Sequence, residues 1–214
     1  MTSRRHSALI LICSLLSAPV MAADFQVDLL IYADRNAAQG TAGELPSEPG
    51  MPNLDRALEI ADDPGLRAAG ITVLPTENFA LQKQWDHLLN SRRFEPIHKL
   101  SWRQRNPPTE NGPAIRLAFG PSYQINDVPM YFGDLPGDRE PEFIHQLDGT
   151  VTLLLSRYLH LDARLSWTEA GPYGEMGSYH LRESRRMRSG ELHHLDSPRF
   201  GLLVRVTKAE NGSP

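Results

Sequence analysis

From Leu147 to Trp167, apolar and polar positions alternate along the chain. Leu147, Val151, Leu153, Leu155, Leu159, Leu161, Leu165 and Trp167 hold odd positions; Thr150, Thr152, Ser156, Tyr158, His160, Asp162, Arg164 and Ser166 hold even ones. A period of two sets one side of a strand on a core and the other toward water. Between Thr150 and Ala170 there is no Gly, Pro or Asn. With no residue that favours a tight turn, the pattern predicts one long strand, coiled or bulged. Gly171 to Gly177 then supplies an obvious turn, after which Tyr179, Leu181 and Met187 alternate with His180, Arg182, Ser184, Arg186 and Arg188. A slip of one residue would bury every arginine, so the apolar faces must coincide. Pairing Trp167 with Tyr179, Leu165 with Leu181 and Leu159 with Met187 satisfies that condition.

Further elements follow from the same patterning. Residues 25–32 (FQVDLLIY) read as a strand, and 33–52, rich in Ala, Gly, Pro and Glu, as a mobile loop. Asn53 is placed to cap a short helix carrying Leu54, Ala57, Leu58 and Ala61, ended by Pro64-Gly65. A second helix is expected from Glu77 to Ser91, capped by Thr76, with Leu81, Trp85 and Leu88 as its apolar stripe. Phe94 to Arg103 reads as a strand with Phe94, His98, Leu100 and Trp102 on one face and Pro96 favouring an edge. Strand, helix and strand in that order suggest a βαβ or split-βαβ unit. Ala114–Phe119 and Phe200–Thr207 complete the strands; 120–141 reads as an ordered Pro-rich excursion or a short strand pair around Tyr123, Tyr131 and Phe132. The expected fold is α+β, mainly antiparallel sheet built on a long bent C-terminal hairpin, with one or two helices on one face.

Composition narrows the setting. Arg4 and Arg5, the apolar run Ala8 to Ala18 and Val20-Met21-Ala22 have the form of a cleavable signal peptide over residues 1–22. That leaves a single exported domain over 23–214, with no transmembrane segment. Cys13, the one cysteine in the sequence, lies in the leader, which rules out disulfides and thiol chemistry in the remainder. Without Arg4 and Arg5 the chain holds 20 basic and 26 acidic residues, a net charge of −6. Nucleic acid is an unsuitable partner for that balance.

Against this acidic background the even-numbered side of the hairpin gathers Tyr158, His160, Arg164, His180, Arg182, Arg186 and Arg188. Either it is a solvated outer surface, or it binds an anionic polymer, since guanidiniums recognise carboxylates well. Arg157 interrupts the apolar side, so a structural ion pair with Glu183, Glu191 or Asp196 is expected, with a ligand role as the alternative. The run Glu191 to Asp196 lacks helical zinc-motif spacing and reads as a capped turn over 189–198. Neither a nucleophile elbow nor a phosphate loop is present. No metal and no cofactor is expected, and an enzyme is the minority reading.

Several runs resemble the CsiV family of periplasmic peptidoglycan-binding proteins. They are Leu147-Asp148-Gly149-Thr150, Ser156-Arg157-Tyr158-Leu159-His160, the segment Arg185 to His193 and Asp196-Ser197-Pro198-Arg199-Phe200-Gly201, with weaker similarity at 27–31 and 101–104. The resemblance implies a non-enzymatic accessory factor that binds peptidoglycan and supports cell-wall synthesis and cell shape. It also implies a protein partner, an outer-membrane lipoprotein activator of a bifunctional penicillin-binding protein. An adaptor that binds only such a partner is the alternative.

Overall fold

A computed structural model describes residues 23–37, 47–125, 142–171 and 173–209. The expected signal peptide, part of the 33–52 loop and the 126–141 part of the Pro-rich excursion lie outside the described residues. Among the described residues, ten strands form two five-stranded sheets. Strand β1 (Asp24–Asp34) lies at the centre of the first, between β4 (Phe94–Arg105) and β10 (Phe200–Lys208). Short strands β3 (Ile71–Val73) and β9 (Leu192–Asp196) flank them, giving the order β3-β4-β1-β10-β9. The second sheet runs β2 (Ala57–Leu58), β5 (Ala114–Ile125), β6 (Glu142–Leu155), β7 (Leu159–Ala170), β8 (Met176–Met187).

The inward faces of both sheets form one apolar cluster. Val27, Leu29 and Ile31 of β1 and Leu202, Val204 and Val206 of β10 lie with Val151, Leu161 and Leu165 of the second sheet. Trp167 stacks on Phe200 across the interface, their centroids 6.2 Å apart, and His98 stacks on Phe119 at 3.9 Å. Period-two strands bury one face each, and two such faces closing on each other make a sandwich.

The predicted 147–167 strand is two strands. Ser156, Arg157 and Tyr158 turn the chain, and Leu155 then pairs with Leu159. None of the three turn residues has a positive φ, which explains why no glycine marks the turn. Because paired numbers across this turn also sum to an even value, the alternation passes through it unbroken. The next pairing, β7 with β8, has the register the apolar pattern required: Trp167 opposite Tyr179, Leu165 opposite Leu181, Leu159 opposite Met187.

Other elements differ from expectation for local reasons. Residues 57–58 pair in parallel with 114–115 instead of forming a helix. The helix α1 (Asp63–Ala68) begins where one was expected to end, with Pro64 in its first turn and Asp62 accepting from Gly65 N at 3.1 Å. Proline lacks only a donor that the first turn leaves unused. The second helix, α2 (Gln82–Leu89), is shorter than predicted and follows a single 3-10 turn at 76–78. The break is enforced by Asp28, a fully buried carboxylate that takes Ala80 N at 3.0 Å and Ser101 Oγ at 2.8 Å. Leu81 and Leu88 then pack with Leu30 and Tyr32 on the outer face of β1.

No βαβ unit forms, since β1 and β4 are antiparallel. A bulge sets Ile31 opposite His98 but Tyr32 opposite Pro96. The extra residue moves Phe94 off the face of His98, Leu100 and Trp102 and onto the side of Tyr32. Strand β3 pairs only with Trp102 to Gln104, so Pro96 lies on a length of β4 whose outer side has no strand partner among the described residues. Residues 192–196, expected as part of a turn, are the edge strand β9.

Candidate functional site

On the outward face of the second sheet, β7 and β8 place His160 opposite Arg186, Arg164 opposite Arg182 and Ser166 opposite His180. Tyr158, in the preceding turn, lies under the Arg186 guanidinium, 3.3 Å from its ring centroid, with Arg157 at 5.5 Å. His160 Nδ1 donates to Tyr158 O at 3.0 Å, which ties the turn to β7. Thus six of the seven residues expected on one face share it. Arg188 is the exception: β8 ends at Met187, and Arg188 turns toward Glu191 at 3.6 Å.

A strap lies over this face. Ser47 exchanges backbone hydrogen bonds with Ser178 on β8, at 2.9 and 2.8 Å. Ten residues later, Ala57 pairs with β5 near the other edge of the sheet. The chain between therefore crosses the outer surface, and the described part of the expected loop, 47–52, belongs to this crossing. Ser47 Oγ and Ser166 Oγ hold the His180 ring between them, at 2.7 Å from Nε2 and 2.8 Å from Nδ1.

Two clefts lie beside the strap. One, of about 420 Å³, is lined by Asp55, Arg56, Asn111, Thr150, Thr152 and Asp162; the other, of about 280 Å³, by Glu48, Met51, Ser166, His180 and Arg182. Asn53 and Arg164 line both. Arg56 has a φ of +61°, a conformation costly for a non-glycine residue and common at ligand sites. Arg164 hydrogen bonds Asp162 at 3.0 Å, and Arg182 has no carboxylate partner among the described residues. Exposed guanidiniums beside hydroxyls and amides suit a ligand with carboxylate and sugar hydroxyl groups.

Arg157 does not form the expected buried ion pair. It sits exposed at the β6–β7 turn, where the chain reverses and the inward parity no longer applies. Glu183 is engaged instead by Arg185 at 2.5 Å, and Glu191 by Arg188. Glu183 and Arg185 occupy inward-parity positions on the edge strand β8, a placement that discourages edge-to-edge pairing.

Between β5 and β6, toward the β2 edge of the same sheet, lies a buried ionic cluster. Asp148, 1% exposed, accepts from Arg116 Nε at 3.0 Å and Nη2 at 2.9 Å, and from His145 N at 3.2 Å. Arg116 also reaches Glu59 at 2.9 Å, and these carboxylate contacts raise the guanidinium's pKa. Next to it Gly149 has a φ of +143°; a Cβ there would stand 2.9 Å from Leu165 Cα. The Leu147-Asp148-Gly149-Thr150 run therefore joins an ion-pair anchor to a point of close strand approach.

The family model for CsiV, a peptidoglycan-binding protein, matches residues 6–209, nearly the whole chain. The chain belongs to the CsiV family. Searches of curated proteins and of solved structures found no match. The runs that carry the CsiV resemblance are dispersed in the fold: the Asp148 anchor, the Tyr158 turn, the β8–β9 connection and the β9–β10 turn. In the last, Arg199 donates to Glu169 Oε2 at 2.9 Å and to the carbonyls of Asp34 and Ala37. It thereby joins the two sheets.

The structure also shows a cavity of about 550 Å³ on the first sheet, lined by Tyr32, Asp34, Arg93, Phe94, His194, Asp196 and Ser197 among others. Sequence patterning missed it. Tyr32 crosses Gly201 to hydrogen bond His194 Nε2; a Cβ on Gly201 would stand 2.7 Å from Tyr32 Cζ. Burial, with Asp196 and Asp34 nearby, pushes the Tyr32 phenol up to about 12. Arg93 donates to Asp34 Oδ2 at 3.0 and 2.7 Å, which lowers the pKa of that carboxyl. The signal available was Gly201 itself, a lone glycine inside an apolar strand, which marks close approach of another group.

Proposed function

We propose that this CsiV-family chain is a non-enzymatic periplasmic binder of peptidoglycan that engages the wall polymer on the strapped face of β7 and β8. The observation that carries the reading is the meeting of both clefts at Arg164, on a face that also bears Arg182, Arg186 and the Tyr158 ring. Peptidoglycan offers matching chemistry: stem-peptide carboxylates for the guanidiniums, sugar hydroxyls for the polar cleft walls, and apolar sugar faces for the ring. The family supports a cell-envelope setting, and the leader-like first 22 residues support export. Among the described residues no helix is long and apolar enough to cross a membrane. A role in wall synthesis and cell shape, with an outer-membrane lipoprotein activator of a bifunctional penicillin-binding protein as partner, rests on the family resemblance.

Sedimentation with purified sacculi tests the face. The wild type should pellet, and retention should weaken as salt rises, because exposed charge contacts are screened. Combined Arg164→Glu, Arg182→Glu and Arg186→Glu substitutions should abolish retention with the melting temperature unchanged. Pelleting of that folded variant at wild-type levels would refute the assignment. Incubation with labelled sacculi should release no soluble fragments; release by the pure protein would make it an enzyme.

A further inference from the structure

We propose that the cavity on the first sheet is a second ligand site, which takes a zwitterionic α-amino-acid end group. It stands independently of the strapped face and lies on the other sheet. Its volume, about 550 Å³, falls in the roughly 300–1,000 Å³ usual for small-ligand sites.

Opposite charges line it. Arg93 spends Nε and one Nη2 hydrogen on a single oxygen of Asp34, so Nη1 and the rest of its outer edge remain available to a ligand carboxylate. That ion pair fixes the guanidinium before any ligand arrives, and the Phe94 ring supports it at 4.9 Å. Asp196 supplies the opposite charge. Its carboxylate is 69% exposed, and its one ion-pair contact among the described residues is His194, at a long 3.9 Å. An ammonium group would find there a strong acceptor beside the Tyr32 ring.

Two features indicate a site built for a ligand. The floor is Tyr32 lying over Gly201 and bonded to His194, an arrangement that the missing side chain of residue 201 permits. Ser197 Oγ, in the wall, is buried and has no hydrogen-bond partner among the described residues. Buried polar groups are rarely left unpaired, so this hydroxyl marks unmet hydrogen-bonding capacity in the residue that forms the wall. In the wall polymer, a stem-peptide diamino acid presents a zwitterionic end group.

Calorimetric titration with meso-2,6-diaminopimelate tests the inference. Saturable binding is expected, with pimelate, which lacks both ammonium groups, and cadaverine, which lacks both carboxylates, each at least tenfold weaker. Asp196→Asn, a change at an exposed carboxylate, should weaken diaminopimelate at least tenfold, as should Arg93→Gln. The Arg164, Arg182 and Arg186 triple variant should bind it as the wild type does. Absence of saturation, equal binding of either half-ligand, wild-type affinity in Asp196→Asn, or loss in the triple variant would each overturn the proposal. Loss of sacculus retention with diaminopimelate binding intact would count against the strapped face alone.

Discussion

Asp148 shows how one residue of a sequence motif acquires its meaning. It lies on the outward side of β6, yet is 1% exposed because Arg116 spans it and reaches on to Glu59. Removing one partner of a buried pair leaves the other desolvated and uncompensated. Asp148→Ala is expected to cost about 3 kcal/mol, the lower end of the usual range because Arg116 keeps some contact with water. Urea unfolding checks this: the midpoint should fall with the slope unchanged, and a shift worth under about 1 kcal/mol would show that the pair is not a principal anchor. Asp28 contrasts with it. Its carboxylate is satisfied by neutral donors, Ala80 N, Ser101 Oγ and Gln26 Nε2, and its effect is to end one turn before α2 begins.

At the scale of elements, β4, β5, β7, β8 and β10 were legible from apolar alternation, whereas β9, only five residues long, was read as part of a turn. The β7–β8 register followed from parity because any odd slip would bury charge. The β6–β7 turn was hidden for the same reason: it preserves parity, uses ordinary backbone angles, and is held by the Tyr158–Arg186 stack rather than by a turn residue. Strand β10 carries a constraint of another kind. Gly201→Val would drive a side chain into Tyr32, at an expected cost of about 2 kcal/mol typical of overpacking. In a double-mutant cycle, Tyr32→Ala should relieve much of that cost, since the clash is with its ring. Strict additivity of the two losses would show that Tyr32 does not lie over Gly201.

At the scale of the whole molecule, the described residues form two sheets closed on one apolar layer, and half-buried His98 sits at its margin against Phe119. Burial lowers the His98 pKa from its ordinary 6.5, so the folded state resists a proton that the unfolded chain accepts. The associated stability is complete above 6.5 and is lost as pH falls from there through the lower folded value. Unfolding midpoints measured from pH 7.5 to 5 should therefore drop less steeply for His98→Phe than for the wild type. Parallel profiles would mean that protonation of His98 is not opposed by the closed sandwich.

By itself the sequence determined which segments alternate, hence most strands, the pairing of β7 with β8, and the gathering of cationic side chains on one face. These are local consequences of period two and of the cost of burying charge. Its family resemblance was legible too, in runs that the match over residues 6–209 contains. Only the tertiary structure decided where the strap crosses, how both clefts meet at Arg164, and that Arg157 is exposed while Glu183 pairs with Arg185. It also decided that Tyr32 and His194, 162 positions apart, share a cavity. Contacts between distant segments depend on how the sheets close, and no periodicity within a single strand encodes that.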